Sequence, residues 1–228
     1  MTAAGLQNLA GAAPEAKASW PPPAWLHPAG LRLVRLHLAS RRVPAALAAL
    51  AVCGVVMWAA LYWHWVLGSG TGAQSVPIVL EAGTASVVAV TTSSPFGELE
   101  RAGVRWLPWL RLGTAVALAG AAVGALCAGA AITGDLSGGT LGVLRNVAGL
   151  TGIGLLAAAV TGGGLAWIAP MAYMVAAQYA IIAGWTTPWL WPARPPADHG
   201  AALCAALVLA AGVAVTAFRG ARDPASGD

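Results

Sequence analysis

The chain has 228 residues, 58% of them hydrophobic and only 9% charged, with a formal net charge of +4. A mean hydropathy of +0.73 lies well outside soluble globular usage and excludes a sizeable soluble domain or an aqueous catalytic core. Apolar runs near membrane-spanning length define an all-α, polytopic integral membrane protein with room for about six transmembrane helices of ~20 residues each.

Residues 1–30 are rich in Ala, Pro and Gly, include the Pro21, Pro22, Pro23 run, and contain no apolar signal region. They read as a loosely ordered cytoplasmic tail rather than a cleavable signal peptide. From Leu31 to Arg42, aliphatic residues alternate with Arg32, Arg35, Arg41 and Arg42. Leu31, Val34 and Leu38 share a helical face, so the segment is expected to lie in the interface as a helix with snorkelling arginines. A basic flank that only orients the first span is the plainer alternative.

The transmembrane domain is expected over 43–218. Its first span covers about Val43 to Trp65, admits Pro44 in its first turn and closes on Trp58, Tyr62, Trp63 and Trp65, aromatic rings suited to headgroup depth. A shorter second span, Pro77 to Thr92, carries Glu81; a third covers Leu110 to Ile132. Leu141 to Val160 and Leu165 to Trp185 follow, separated by Gly162, Gly163 and Gly164, and the fourth is the weakest because Arg145 and Asn146 lie near its start. A Pro- and Trp-rich loop, Thr186 to His199, precedes the last span, Ala201 to Phe218, and a polar tail over 219–228.

Six spans put both termini on one side. Lys17, Arg32, Arg35, Arg41, Arg42, Arg101, Arg105, Arg111, Arg219 and Arg222 then share that side, leaving Arg145 and Arg194 opposite. Positive charge accumulates on cytoplasmic loops, so both termini are expected in the cytoplasm, with the chain multi-pass in the cell membrane.

The segment Ser94 to Arg111 concentrates charge in an otherwise greasy chain. Ser94 suits a helix cap and Pro95 the first helical position. Glu98 and Glu100 come early, and Arg101 and Arg105 late, as the helix dipole prefers. Pro108 ends the segment, while Trp106 and Trp109 supply interfacial anchors. A short surface helix over 94–108 is the expectation, with a solvated connection that merely fixes topology as the alternative.

Other candidate chemistry is sparse. Glu81 is the one carboxylate in an apolar run; burying it ionised costs several kcal/mol, so it faces a partner, a wet cavity or the nearby outer interface. The interfacial position is the plainer reading, and a substrate or proton contact shared with His64 the functional one. Cys53, Cys127 and Cys204 fall inside apolar runs and read as small hydrophobes. No metal-ligand spacing, phosphate-binding loop, hydrolase elbow or nucleic-acid signature is present, so no cofactor, catalytic residue or nucleic-acid partner is expected. Gly120 and Gly124, with Ala125 and Gly129 beside them, form small-residue pairs suited to close packing within the subunit or to a dimer seam.

A basic interfacial helix before the first span, a short second span, the charged PFGELER-containing loop and a glycine-broken fourth-to-fifth region together resemble the membrane (permease) subunit of a type-2 ABC exporter. The resemblance covers about residues 25–220 and rests on layout. It implies that Glu98, Glu100, Arg101 and Arg105 form a coupling helix docking on a separate cytoplasmic ATPase subunit, and that the permease works as a homo- or heterodimer. The chain itself would then be a transport subunit and not an enzyme. Thr186 to His199, interrupted by Pro188, Pro192, Pro195 and Pro196, departs from the family pattern by lacking a clear pair of re-entrant helices. A non-transporting membrane scaffold or accessory protein, and a proton-coupled carrier using Glu81, are the rival readings.

Overall fold

The computed structural model of the chain describes residues 38–39, 42–63, 75–91, 107–132 and 139–219. Six helices longer than one turn form over these residues: α1 (Val43–Tyr62), α2 (Ser75–Thr91), α3 (Leu107–Ala131), α4 (Gly139–Thr161), α5 (Ile168–Ala183) and α6 (His199–Arg219). Among the described residues there is no strand. Helices α1, α3, α4 and α6 are long and apolar enough to cross a membrane. Helices α2 and α5, at 17 and 16 residues, reach only about 25 Å at ~1.5 Å per residue, short of the ~30 Å hydrocarbon core.

All but Leu38, Ala39 and Arg42 of the expected interfacial helix fall outside the described residues. Arg42 adopts the left-handed conformation, φ 56° and ψ 26°, a geometry that costs a non-glycine residue about 1–2 kcal/mol. It separates the preceding backbone from α1, which starts with Pro44 in its first turn. At the other end of α1, Trp58 stacks on Tyr62 at 5.5 Å, and Tyr62 meets Trp63 edge-on; Trp65 lies outside the described residues.

Two boundaries differ from the sequence expectation. The fourth span, the weakest on paper, is the unbroken 23-residue α4, and 61% of its apolar window is buried against 33% for α1 and α3 and 22% for α6. It is the central helix. The fifth helix starts at Ile168 and ends at Ala183 rather than spanning 165–185. Gly162 to Trp167 are used in successive tight turns, with Leu165 N–H donating to Gly162 O at 3.3 Å and Ile168 N–H to Leu165 O at 3.1 Å. Gly184, left-handed at φ 67°, stops α5 in a Schellman arrangement: Trp185 N–H donates to Ala180 O and Gly184 N–H to Ile181 O.

Small residues set the packing. A Cβ at Gly54 of α1 would lie 2.7 Å from Ala125 O of α3, and one at Gly129 would overlap Gly54 O. Elsewhere in the bundle, a Cβ at Gly152 of α4 would lie 2.6 Å from Leu209 Cα, and one at Gly212 of α6 2.5 Å from Gly152 O. These backbones touch, as small-residue membrane interfaces do. The order of contacts shows that α1 and α3 run parallel, and that α4 runs parallel to both α2 and α6. Among the described residues Gly120 and Gly124 serve no packing within the subunit: nothing lies within 4 Å of a Cβ at either.

The core follows these contacts. Leu50, Met57, Val88, Leu126 and Val147 gather where α1, α2, α3 and α4 meet. Ala82, Ala85 and Leu150 join α2 to α4 beneath Met171 and Met174 of α5. Three hydroxyl groups in the apolar helices are absorbed locally: Thr84 donates to Glu81 O, Ser86 to Ala82 O and Thr216 to Gly212 O. Val52, Val55, Leu203 and Leu207 face outward, as expected where lipid rather than water is the solvent.

Candidate functional site

Polar chemistry collects at one end of the bundle, near the first turns of α2, α4 and α6 and the loop between α5 and α6. Glu81 on α2 is 2% exposed, and its Oε2 accepts a hydrogen bond from Asn146 Nδ2 on α4 at 2.9 Å. Asn146 Oδ1 in turn accepts from Arg145 Nε at 3.3 Å. The guanidinium continues outward, donating from Nη1 to Pro195 O at 2.7 Å and from Nη2 to Arg194 O at 3.1 Å. One chain of bonds thus ties a buried carboxylate on α2, through α4, to the loop. Placing these groups inside an apolar bundle is expensive unless each finds a partner, and here each does.

The loop is built to receive that arginine. Its only helical turn is the 3-10 segment Trp191–Ala193, with Leu190, Trp191 and Pro192 buried. Trp191 lies on the α4 backbone at Gly149, where a Cβ would come 2.5 Å from the ring, and stacks on Tyr173 at 4.7 Å. Tyr173 Oη donates to Trp189 O at 2.5 Å. The expected absence of a re-entrant helix pair is therefore accompanied by a different inward excursion: one tryptophan-anchored turn. Two buried polar atoms have no hydrogen-bond partner among the described residues, Trp191 Nε1 and Thr151 Oγ1.

Asp198 closes the loop onto α6. Its Oδ1 accepts from Ala201 N–H at 2.9 Å, an N-cap bond, and its Oδ2 pairs with Arg194 at 2.5 Å. The Ala201 N–H first, and the Arg194 side chain next, hold the Asp198 carboxyl below the ordinary carboxylate range.

Beside this network a groove of about 400 Å³ opens between α4 and α6. Leu141, Leu144 and Ala148 form one wall and Ala202, Ala206 and Leu209 the other. Arg145, Asp198 and His199 lie at its polar end.

Of the residues singled out in the sequence, Glu81 is brought into the polar network. His64, Glu98, Glu100, Arg101 and Arg105 lie outside the described residues. Arg145 and Arg194, expected on the same side, meet directly. Sequence reasoning missed Asn146, Tyr173, Trp191 and Asp198. The signal for Asn146 was present, since an Arg-Asn pair inside one apolar run calls for a partner and Glu81 was the single carboxylate within another. Among the described residues no group of three or more metal-binding side chains forms.

Comparison with protein-family models, curated proteins and solved structures finds no match for this chain. Fold and composition together define the class: an all-α, polytopic membrane protein with a polar network buried near one end of its helix bundle.

Proposed function

We propose that this chain is the permease subunit of an ATP-driven, ABC-type exporter in the cell membrane, with both termini cytoplasmic. The observation that carries the reading is where the charges are used. Among the described residues, Glu81 and Arg145 are engaged inside the bundle and Arg194 and Asp198 in the adjoining 184–198 loop, all at the same end. The Glu98, Glu100, Arg101 and Arg105 segment instead follows Thr91, ten residues beyond Glu81 and so about 15 Å toward the opposite end. In this reading it is the coupling helix that docks on a separate cytoplasmic ATPase. The outward-facing Gly120 and Gly124 of α3 offer a close-packing face for a second permease, identical or not.

ATP-driven closure of the paired ATPases pushes on the 94–108 segment and rocks the helices, opening a path between permeases. Mostly apolar helix faces favour lipophilic substrates. The test is whether the neighbouring reading frame encodes a soluble P-loop ATPase and whether that protein co-purifies with this chain, before and after charge reversal at Glu98, Glu100, Arg101 and Arg105. Loss of binding with the bundle intact is expected; equal binding by both refutes the coupling assignment, and nucleotide-independent function would favour a scaffold.

The burial of Glu81 against Asn146 favours one second reading, a proton-coupled carrier using Glu81 with His64. The two readings order the variants oppositely. The carrier loses transport in Glu81→Gln and tolerates the charge reversals; the exporter does the reverse.

A further inference from the structure

We propose that the groove between α4 and α6 holds one acyl chain of an anionic membrane lipid, with the lipid phosphate at the Arg145 and His199 end. This inference does not rest on the transport reading.

The groove arises from how two parallel helices meet. They are pinned where Gly152 touches Leu209 and Gly212, and above this point no large side chain fills the gap, because Ala148, Ala202, Ala205 and Ala206 face it. From Asp198 to Leu209 it runs eleven residues, or about 16 Å along α6. That length is about half of a ~30 Å hydrocarbon core, one leaflet deep, which is the reach of one lipid chain. Leu141 and Leu144 on its rim are 64% and 50% exposed, so the opening faces sideways toward surrounding lipid rather than into the bundle.

The polar end carries the sign. Arg194 and Asp198 neutralise each other in a 2.5 Å ion pair. Arg145 has no ion pair among the described residues and donates only to neutral oxygens: Asn146 Oδ1, Pro195 O and Arg194 O. Glu81 stands beyond Asn146 and does not line the groove. A guanidinium carries five N–H donors, and three are used in those bonds. The groove therefore ends at a buried guanidinium whose Nη1 and Nη2 each carry one N–H beyond its bonds to described residues, a donor type that phosphate oxygens accept well. Exposed His199 adds a further donor at the mouth.

The experiment uses the full chain purified in detergent and titrated with dioleoyl phosphatidylglycerol or dioleoyl phosphatidylcholine, with bound lipid counted by native mass spectrometry. The anionic lipid is expected to bind about tenfold more tightly, and Ala206→Phe, which fills the groove from an exposed position, to weaken it about tenfold, each step equivalent to ~1.4 kcal/mol. Ala210→Phe, on the exposed surface of α6 outside the groove, is the control and should bind as the parent does. Arg145→Gln should abolish the preference between the two lipids. Equal binding of both lipids by the parent chain, or equal effects of Ala206→Phe and Ala210→Phe, overturns the proposal.

Discussion

Replacing Gly152 with Ala tests the α4–α6 seam most directly. The added methyl would sit 2.6 Å from Leu209 Cα, Leu209 N and Val208 C, all backbone atoms that cannot rotate away. Ordinary contact begins at 3.4 Å, so the two helices must part by about 0.8 Å at this level. Overpacking of this kind costs about 1–3 kcal/mol, offset in part by the ~1 kcal/mol helix preference of Ala over Gly. The net cost is then up to about 2 kcal/mol, and at about 2–4 °C per kcal/mol for a body of this size the melting temperature should fall by up to about 8 °C. Gly124→Ala is the matched control, because nothing lies within 4 Å of its Cβ; there the helix preference acts alone and the midpoint should hold or rise. Thermal unfolding of the full chain in detergent, followed by tryptophan fluorescence, reads both. If Gly152→Ala melts at or above Gly124→Ala, the backbone contact is not what holds these helices together.

Three other perturbations have distinct readouts. Glu81→Leu leaves the buried Asn146 amide without its acceptor and should cost about 1–3 kcal/mol; Glu81→Gln keeps an acceptor and should cost less, and Glu81→Leu with Asn146→Leu should recover stability, as a double-mutant melting cycle would show. Trp191→Ala removes a ring that is 2% exposed and stacked on Tyr173, so about 3–5 kcal/mol is at stake and trypsin should gain access to Arg194 in the loosened loop. Asp198 has a lowered native pKa, so its contribution is complete above the ordinary carboxylate pKa of ~3.9 and lost as pH falls through the lower native value. Asp198→Asn should therefore flatten the acid limb of a melting-temperature-against-pH curve while changing nothing in shape between about pH 5 and 8; an unchanged acid limb would remove Asp198 from that account.

Much of the architecture was legible in the sequence because lipid imposes one rule on every span: enough consecutive apolar residues to cross. Helices α1, α3 and α6 obey it and fall close to their expected places. Helix α4 was harder to read because Arg145 and Asn146 look like an interruption when a run is scored alone. Their acceptors, Glu81 and the carbonyls of Arg194 and Pro195, are distant in sequence, so only the tertiary arrangement makes them internal residues. The start of α5 was misplaced for a local reason, since glycine turns consume Gly162 to Trp167 without changing how apolar the stretch looks. Gly120 and Gly124 match the small-xxx-small spacing as well as any glycines here, yet the packing uses Gly54 and Gly129 instead. Spacing cannot tell which face of α3 turns inward. Trp191 carried no signal beyond its type, because a tryptophan in a proline-rich loop reads equally well as an interfacial anchor.

The bonds of Arg145 also bear on how the protein is made. The carbonyls that receive its guanidinium come from residues 49 and 50 positions later. Chains grow from the N-terminus at about 5–20 residues per second, so Arg145 itself is made about 3–10 s before the ribosome has supplied those acceptors. Arg145 is the seventh residue of its helix, a depth from which a long basic side chain can reach the headgroups until those acceptors exist. The bonds that hold this arginine inside the bundle can therefore form only once the loop before α6 has been made.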